Sequence, residues 1–294
     1  MKLLDGRVAI ITGASKGIGR VMSQLFAREG AKVVCAARSE ALVNETATLI
    51  NSAASIKSAG ASAIAVVADA GSEAGAKAIV DAGLRAFDRI DTLVNNAGDG
   101  GPTKPVQDYT VDDWYYTVNS CLTSSYLCIR FAVPAMIAAG GGAIVNIASM
   151  AGRRGLAYRI GYCSAKAGQI GMTYGLALEL GRHNITVNAI APGAVEGDRI
   201  DRVIKGQAEV RGVDVERMRQ WPRPKTSRRW RRFSAAATRV ISAGNAYRSL
   251  PVNRHDRMSR SSRRYKVLSP AGHLSEFFGL VISCLGGRKD NGSG

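Results

Sequence analysis

The amino-acid sequence predicts an α/β fold, a doubly wound parallel sheet in a single domain that ends in an irregular basic tail. Three observations carry this. Short apolar runs alternate with amphipathic stretches of helical length through the first 190 residues. A glycine-rich turn follows the first run, and the charge of the chain is concentrated in one late stretch. Strand–helix alternation of this kind builds right-handed βαβ units whose sheet is covered on both faces.

The apolar runs are Val8–Thr12, Lys32–Ala37, Ser62–Val67, Thr92–Asn95, Ala143–Ala148 and Thr186–Ile190. Between them, Ile18–Arg28, Asp112–Ala138 and Tyr162–Leu180 have helical length and period. Gly140–Gly142 reads as a helix stop before the fifth strand. Hydrophobic residues make up 46% of the 294, enough to bury a core, which excludes wholesale disorder. No run of 18 apolar residues occurs, so no membrane span is expected, and the N-terminus does not read as a signal peptide. Cys35, Cys121, Cys128, Cys163 and Cys284 form no CxxC and no pairing with histidine. Free thiols in a reducing cytoplasm, with no metal site, are the expectation.

The net charge of +17 would ordinarily point to a polyanionic partner. Its distribution argues against that for the globular part. Residues 1–216 hold 22 Lys and Arg against 20 Asp and Glu, whereas residues 217–266 hold 16 against one acid, Asp256.

The segment Thr12–Gly19, TGASKGIG, lies between the first strand and the first helix. Gly13 makes the tight turn, and Gly17 and Gly19 leave room for a pyrophosphate and for close helix–strand contact. The N–H groups around Ser15, Lys16 and Ile18 then face the phosphates at the positive end of the helix. At the end of the second strand a carboxylate would accept from the adenosine ribose and repel a 2′-phosphate. Ala37 stands there, followed by Arg38, with Lys16 in the glycine turn. Two cations and no carboxylate favour NADP(H) over NAD(H). Asp69, past the third strand, either meets the adenine edge or caps the next helix.

Tyr162 and Lys166 in YCSAK are four residues apart, on one helix face. A free phenol holds its proton to a pKa of about 10 and is a poor base at neutral pH, whereas a neighbouring ammonium favours the phenolate. Ser149 ends the fifth strand, at the edge where open parallel sheets bind ligands. The NNAG of Asn95–Gly98 ends the fourth strand, and its Asn95, Ala97 and Gly98 come against the dinucleotide. Asn119 lies inside a helical stretch, either as a surface polar residue or at a kink that holds a relay water.

Together, TGASKGIG, NNAG, Asn119, Ser149, YCSAK and the APG of Ala191–Gly193 resemble the short-chain dehydrogenase/reductase family over about residues 5–220. The chain is most similar to the 3-oxoacyl reductase, sugar dehydrogenase and cyclic-alcohol dehydrogenase members. The resemblance implies a Rossmann domain that transfers a hydride between a nicotinamide cofactor and a small-molecule carbonyl or secondary alcohol. It implies that Tyr162 exchanges the proton, that Lys166 binds the nicotinamide ribose and favours the phenolate, and that Ser149 steadies the substrate oxygen. It also implies that Asn119 supports a water relay and that Pro192 and Gly193 flank the nicotinamide. Many members carry a threonine where Gly197 stands here. A homodimer or homotetramer is implied if the C-terminus permits it.

The domain is expected over residues 1–220, with a substrate lid at about 194–220. Asp99–Thr103, Met150–Arg159 and the lid should line the pocket. Arg153, Arg154 and Arg159 either meet an anionic substrate or face solvent or a subunit contact. Residues 221–294 form an arginine-rich tail that departs from the family. Three readings compete for it: a basic nucleic-acid tail, a divergent C-terminal domain, and translation in a shifted reading frame, which is favoured over the other two. Codons exist for Val240–Tyr247 that, read from each third base, spell His-Ile-Ser-Gly-Gln-Arg-Leu, close to what the family carries there. Without a closing strand the preceding one has a bare edge, and the expectation is weak stability and low activity.

Overall fold

The computed structural model describes residues 2–53, 60, 62–195, 197–219 and 239–242. Strand β1 (Val8–Thr12) leads into α1 (Gly17–Arg28), then β2 (Lys32–Ala37), α2 (Glu40–Ser52), β3 (Ala63–Val67), α3 (Glu73–Phe87) and β4 (Thr92–Asn95). A long helical stretch follows in three parts: α4 (Val111–Val118), a π-turn (Asn119–Thr123) and α5 (Ser124–Ala138). Next come β5 (Gly142–Ile147), a short α6 (Ala151–Arg154), α7 (Ile160–Leu180), β6 (Ile185–Ala191), α8 (Asp198–Arg211), α9 (Val215–Arg219) and β7 (Arg239–Ser242). The six apolar runs are the first six strands, with ends shifted by a residue at most.

The sheet order is β3-β2-β1-β4-β5-β6-β7, parallel through β6. The order reverses between β1 and β4, which opens a crevice beyond their carboxyl ends. On one face, Met22 and Phe26 of α1 and Val43 and Ile50 of α2 pack on the strands. On the other, Ile79 of α3, Leu127 and Met136 of α5 and Leu180 of α7 do the same. Strands buried on both faces carry mostly apolar side chains, which is why they read as near-continuous runs, with buried polar residues such as Asn95 and Asn146 among them. Asp91 joins β1 to β4 at the opposite end of the sheet: it is buried, accepts the Val8 N–H at 2.9 Å and pairs with Arg89 at 2.6 Å.

Thr110 starts α4 with a capping box. Its hydroxyl accepts the Asp113 N–H at 3.1 Å, and the Asp113 carboxylate accepts the Thr110 N–H at 3.2 Å. By length and composition Val111–Ala138 is apolar enough to cross a membrane. Its Leu127, Cys128, Ala132 and Met136, however, are buried in the core beneath the sheet.

The expectation of a bare β6 edge is corrected. Strand β7 pairs with β6 antiparallel, with Ala191 opposite Arg239 and Asn188 opposite Ser242. Val240 and Ile241 are β-branched and favour a strand, but four residues inside an arginine-rich stretch make too short a pattern to read. The remaining expectations for the tail, namely nucleic-acid contact, a second domain or a shifted frame, fall outside the described residues.

Candidate active site

The crevice is a cleft of about 740 Å³. Gly13, Ser15, Lys16, Gly17 and Ile18 line it on the β1–α1 side, Ala37 and Arg38 at the end of β2, and Asp69 after β3. Ala97 and Gly98 close it after β4. Gly17 adopts φ 56° at the head of α1, and a Cβ there would meet nothing within 4 Å, so the phosphate side of the turn is open. Behind it the packing is tight: a Cβ at Gly19 would stand 2.6 Å from Asn96 Nδ2. Asn96 braces the turn by donating to the Thr12 carbonyl at 2.9 Å and the Gly13 carbonyl at 3.2 Å. An open cradle of N–H groups at a helix N-terminus, flanked by Lys16 and Arg38, fits the pyrophosphate of a dinucleotide. Arg38 is held above its ordinary pKa by a hydrogen bond with Tyr116, opposed by burial and helped by the fields of Asp69 and Asp99. Asp69 does not cap α3, whose N-cap is Ser72; its Oδ1 accepts the Gly71 N–H at 2.9 Å in the turn before that helix.

Of the expected cofactor residues, Asn95, Pro192 and Gly193 are not among those that line the cleft, and neither are Gly19, Tyr162 and Lys166. Asn95 is buried and donates to Asn146 Oδ1 at 2.9 Å, tying β4 to β5; its neighbour Asn96 lines the cleft instead. Pro192 is buried beside the site segment, its carbonyl accepting the Met150 N–H at 2.9 Å, and Gly193 follows it half-buried.

Helix α7 brings Tyr162 and Lys166 together. The Lys166 ammonium is buried and lies 5.8 Å from the Tyr162 ring centroid. It donates to the Ile147 carbonyl at 2.7 Å and to Gln169 Oε1 at 2.8 Å. Gln169 Nε2 in turn donates to Ser125 Oγ at 2.6 Å. Ser149 follows β5 two residues after Ile147, and its Oγ accepts the Ala151 N–H at 3.1 Å. The turn it opens packs backbone to backbone on α7, since a Cβ on Gly152 would lie 2.5 Å from the Lys166 carbonyl carbon. Just before the tyrosine, a Cβ on Gly161 would stand 2.6 Å from the Tyr109 hydroxyl.

Asn119 stands apart from this group. It is exposed at the start of the π-turn, and its Oδ1 accepts the Thr123 hydroxyl at 3.1 Å. The polar chain behind Lys166 runs through Gln169 and Ser125 instead, two residues the sequence reading missed. Their only signal is polarity on faces that are otherwise apolar. Arg199 and Arg202 of α8 also line the cleft, and Arg199 Nη2 donates to the Gly98 carbonyl at 2.5 Å. Of the three arginines before Tyr162, Arg153 and Arg154 are exposed, whereas Arg159 is buried.

A doubly wound sheet, a glycine cradle at its switch point and a Tyr–Lys pair beside it define a dinucleotide-binding protein of the oxidoreductase kind. The family model described as short chain dehydrogenase matches residues 7–207, and the chain belongs to that family of oxidoreductases. Levodione reductase of Leifsonia aquatica is 36% identical over 200 residues, covering 68% of this chain and 73% of the relative. Sorbitol dehydrogenase of Cereibacter sphaeroides is 38% identical over 203 residues, covering 68% and 75%. Among solved structures, NAD+-bound xylitol dehydrogenase aligns with a TM-score of 0.65 and 34% identity, covering 70% of this chain and 78% of that one.

Proposed function

We propose that this chain transfers a hydride between NADP(H) and a carbonyl or secondary alcohol of a small molecule, with Tyr162, Lys166 and Ser149 as the reacting group. The observation that carries this is the buried Lys166 ammonium 5.8 Å from the Tyr162 ring. When bound, the nicotinamide supplies or takes up the hydride. Tyr162 gives its phenolic proton to the substrate oxygen in reduction and takes it back in oxidation. Lys166 is fixed beside that phenol by its hydrogen bonds to Ile147 and Gln169. Ser149 donates a hydrogen bond to the substrate oxygen. Asn119, at the start of the π-turn, keeps the relay role in this reading: its Oδ1 accepts the Thr123 hydroxyl, and its amide group is left to hold a water.

Xylitol dehydrogenase holds NAD+ and 7α-hydroxysteroid dehydrogenase holds NADH. For this chain, Lys16 and Arg38 on the cleft wall, with Ala37 where a ribose-binding carboxylate would stand, support the phosphorylated form. Free thiols at Cys35, Cys121, Cys128 and Cys163 fit a cytoplasmic setting. Exposed Trp114, Tyr115 and Tyr126 on the α4–α5 stretch support a homo-oligomer.

Tyr162→Phe tests the reading. It removes the proton donor and leaves the cleft intact, so kcat/KM should fall by about 10²- to 10⁴-fold. NADPH affinity, read by fluorescence titration, should stay within about twofold of the parent. Turnover that survives the substitution rules the phenol out as the proton carrier.

A further inference from the structure

Arg159 is a cation in an unusual place. It is 5% exposed. Its Nη1 donates to the Gly101 carbonyl at 2.9 Å and to Thr103 Oγ1 at 3.1 Å, while its Nε is buried without a partner. Among the described residues no carboxylate forms an ion pair with it. The fields of Tyr162, Tyr109 and Asp99 reach it, but the Asp99 Oδ1 is engaged by the Gly101 N–H at 3.0 Å. Burial therefore pushes the guanidinium below its ordinary pKa, and those fields only partly oppose the shift. A buried charge without a counter-charge is strongly unfavourable.

Its position in the chain adds to this. Arg159 is the N-cap residue of α7, a helix of 21 residues. That end presents free N–H groups and the positive end of the dipole, which repel a cation and attract an anion. The two features are independent, and both call for negative charge. The site also adjoins the chemistry, since the guanidinium carbon lies 5.4 Å from the Tyr162 ring centroid. Gly100 fills the space between the two: a Cβ there would collide with Arg159 Nη2 and lie 3.7 Å from Tyr162 Cδ2.

We propose that Arg159 binds a carboxylate carried by the substrate, so that the chain acts on oxo acids and hydroxy acids in preference to neutral ketones and alcohols. This rests on the oxidoreductase reading above. In the reducing direction the carbonyl carbon takes a hydride, with its two electrons, from the reduced dinucleotide. The carbonyl oxygen takes the Tyr162 proton, and the carboxylate is unchanged. Nη1 holds the Gly101–Thr103 loop, and the Nε edge grips the anion by charge-assisted hydrogen bonds. Gly100 leaves room for the guanidinium on the Tyr162 side.

The test has two arms on the full chain with dinucleotide present. Calorimetry compares butyrate with butyramide, two ligands that cannot react, and turnover with NADPH compares acetoacetate with acetylacetone. The unaltered chain should bind butyrate at least about tenfold more tightly and favour acetoacetate by a similar ratio. Arg159→Gln should bring both ratios to about one, and Arg159→Lys should keep part of each, because a point charge lacks the planar fork. Equal affinity for butyrate and butyramide in the unaltered chain overturns the proposal, whether or not the variants fold. Preferential butyrate binding that Arg159→Gln abolishes, with neither ketone reduced, upholds the anion site and sinks the oxidoreductase reading. Equal turnover of both ketones, unchanged in ratio by the substitutions, does the reverse.

Discussion

Lys166 is a buried ammonium whose protein acceptors are a strand-end carbonyl and a glutamine. Replacing Gln169 with Leu removes one of them and leaves Ser125 Oγ without its donor. Each unsatisfied buried group costs about 1–3 kcal/mol, so Gln169→Leu should lower the urea midpoint as well as kcat/KM, whereas Tyr162→Phe should lower kcat/KM alone. The thiols give a second prediction. Burial raises Cys35 to about 11 and Cys128 to about 12, against 9.0 for an ordinary cysteine. The folded chain therefore keeps these protons longer than the unfolded one. Their contribution to stability is complete below about pH 9 and falls by about 1.4 kcal/mol per unit per thiol as pH rises toward the folded values. Denaturant titrations at pH 8 and 10.5 should show that loss, and Cys128→Ala should reduce it. Tyr162, Lys166 and Ser149 were legible in the sequence because their relation is local: one helical turn, and one strand end. Gln169 was not, and Arg159 was legible only as one of three arginines that could meet an anion, because what sets each apart is burial, which the distant Gly98–Thr103 loop and Ser125 supply.

At the scale of elements, the apolar runs gave the strands almost residue for residue, because a strand covered on both faces is a near-continuous apolar run rather than an alternating one. The long helix was legible as a length but not as a shape. A π-turn adds a residue to one turn and so rotates everything beyond it. A regular 3.6-residue projection cannot foresee that rotation, and Asn119 sits at the turn, where such a projection is least trustworthy. The capping box offers a direct test of how firmly this helix is seated. Thr110→Ala removes the acceptor for the Asp113 N–H and should destabilise the protein by about 1 kcal/mol, measured by chemical denaturation, with dinucleotide affinity unchanged.

For the molecule as a whole, the sheet order places the glycine turn and Arg38 around one crevice, and this was predictable once βαβ units were recognised. The closing strand was not, because its direction opposes the other six and its length is four residues. A ligand that binds only the folded chain stabilises it by mass action, by about 2.7 kcal/mol at a hundred times its Kd. NADP+ should therefore raise the melting temperature more than NAD+ at equal concentration. Arg38→Ala should shrink that gap; an equal rise with both dinucleotides in the parent would show that the cleft does not recognise the 2′-phosphate.

The Gly161–Tyr109 contact limits how this protein can change. Any side chain at position 161 would press on the phenol of Tyr109, which Thr117 holds by a 2.9 Å hydrogen bond. Relief would come by displacing the Tyr109 ring and its bond to Thr117, or by levering the first turn of α7 outward, and Tyr162 is the next residue along. Misplacements of about 1 Å can cost a hundredfold in rate. A single methyl group, added at a residue that has no side chain, would thus detune the reaction while leaving every reacting atom in the sequence.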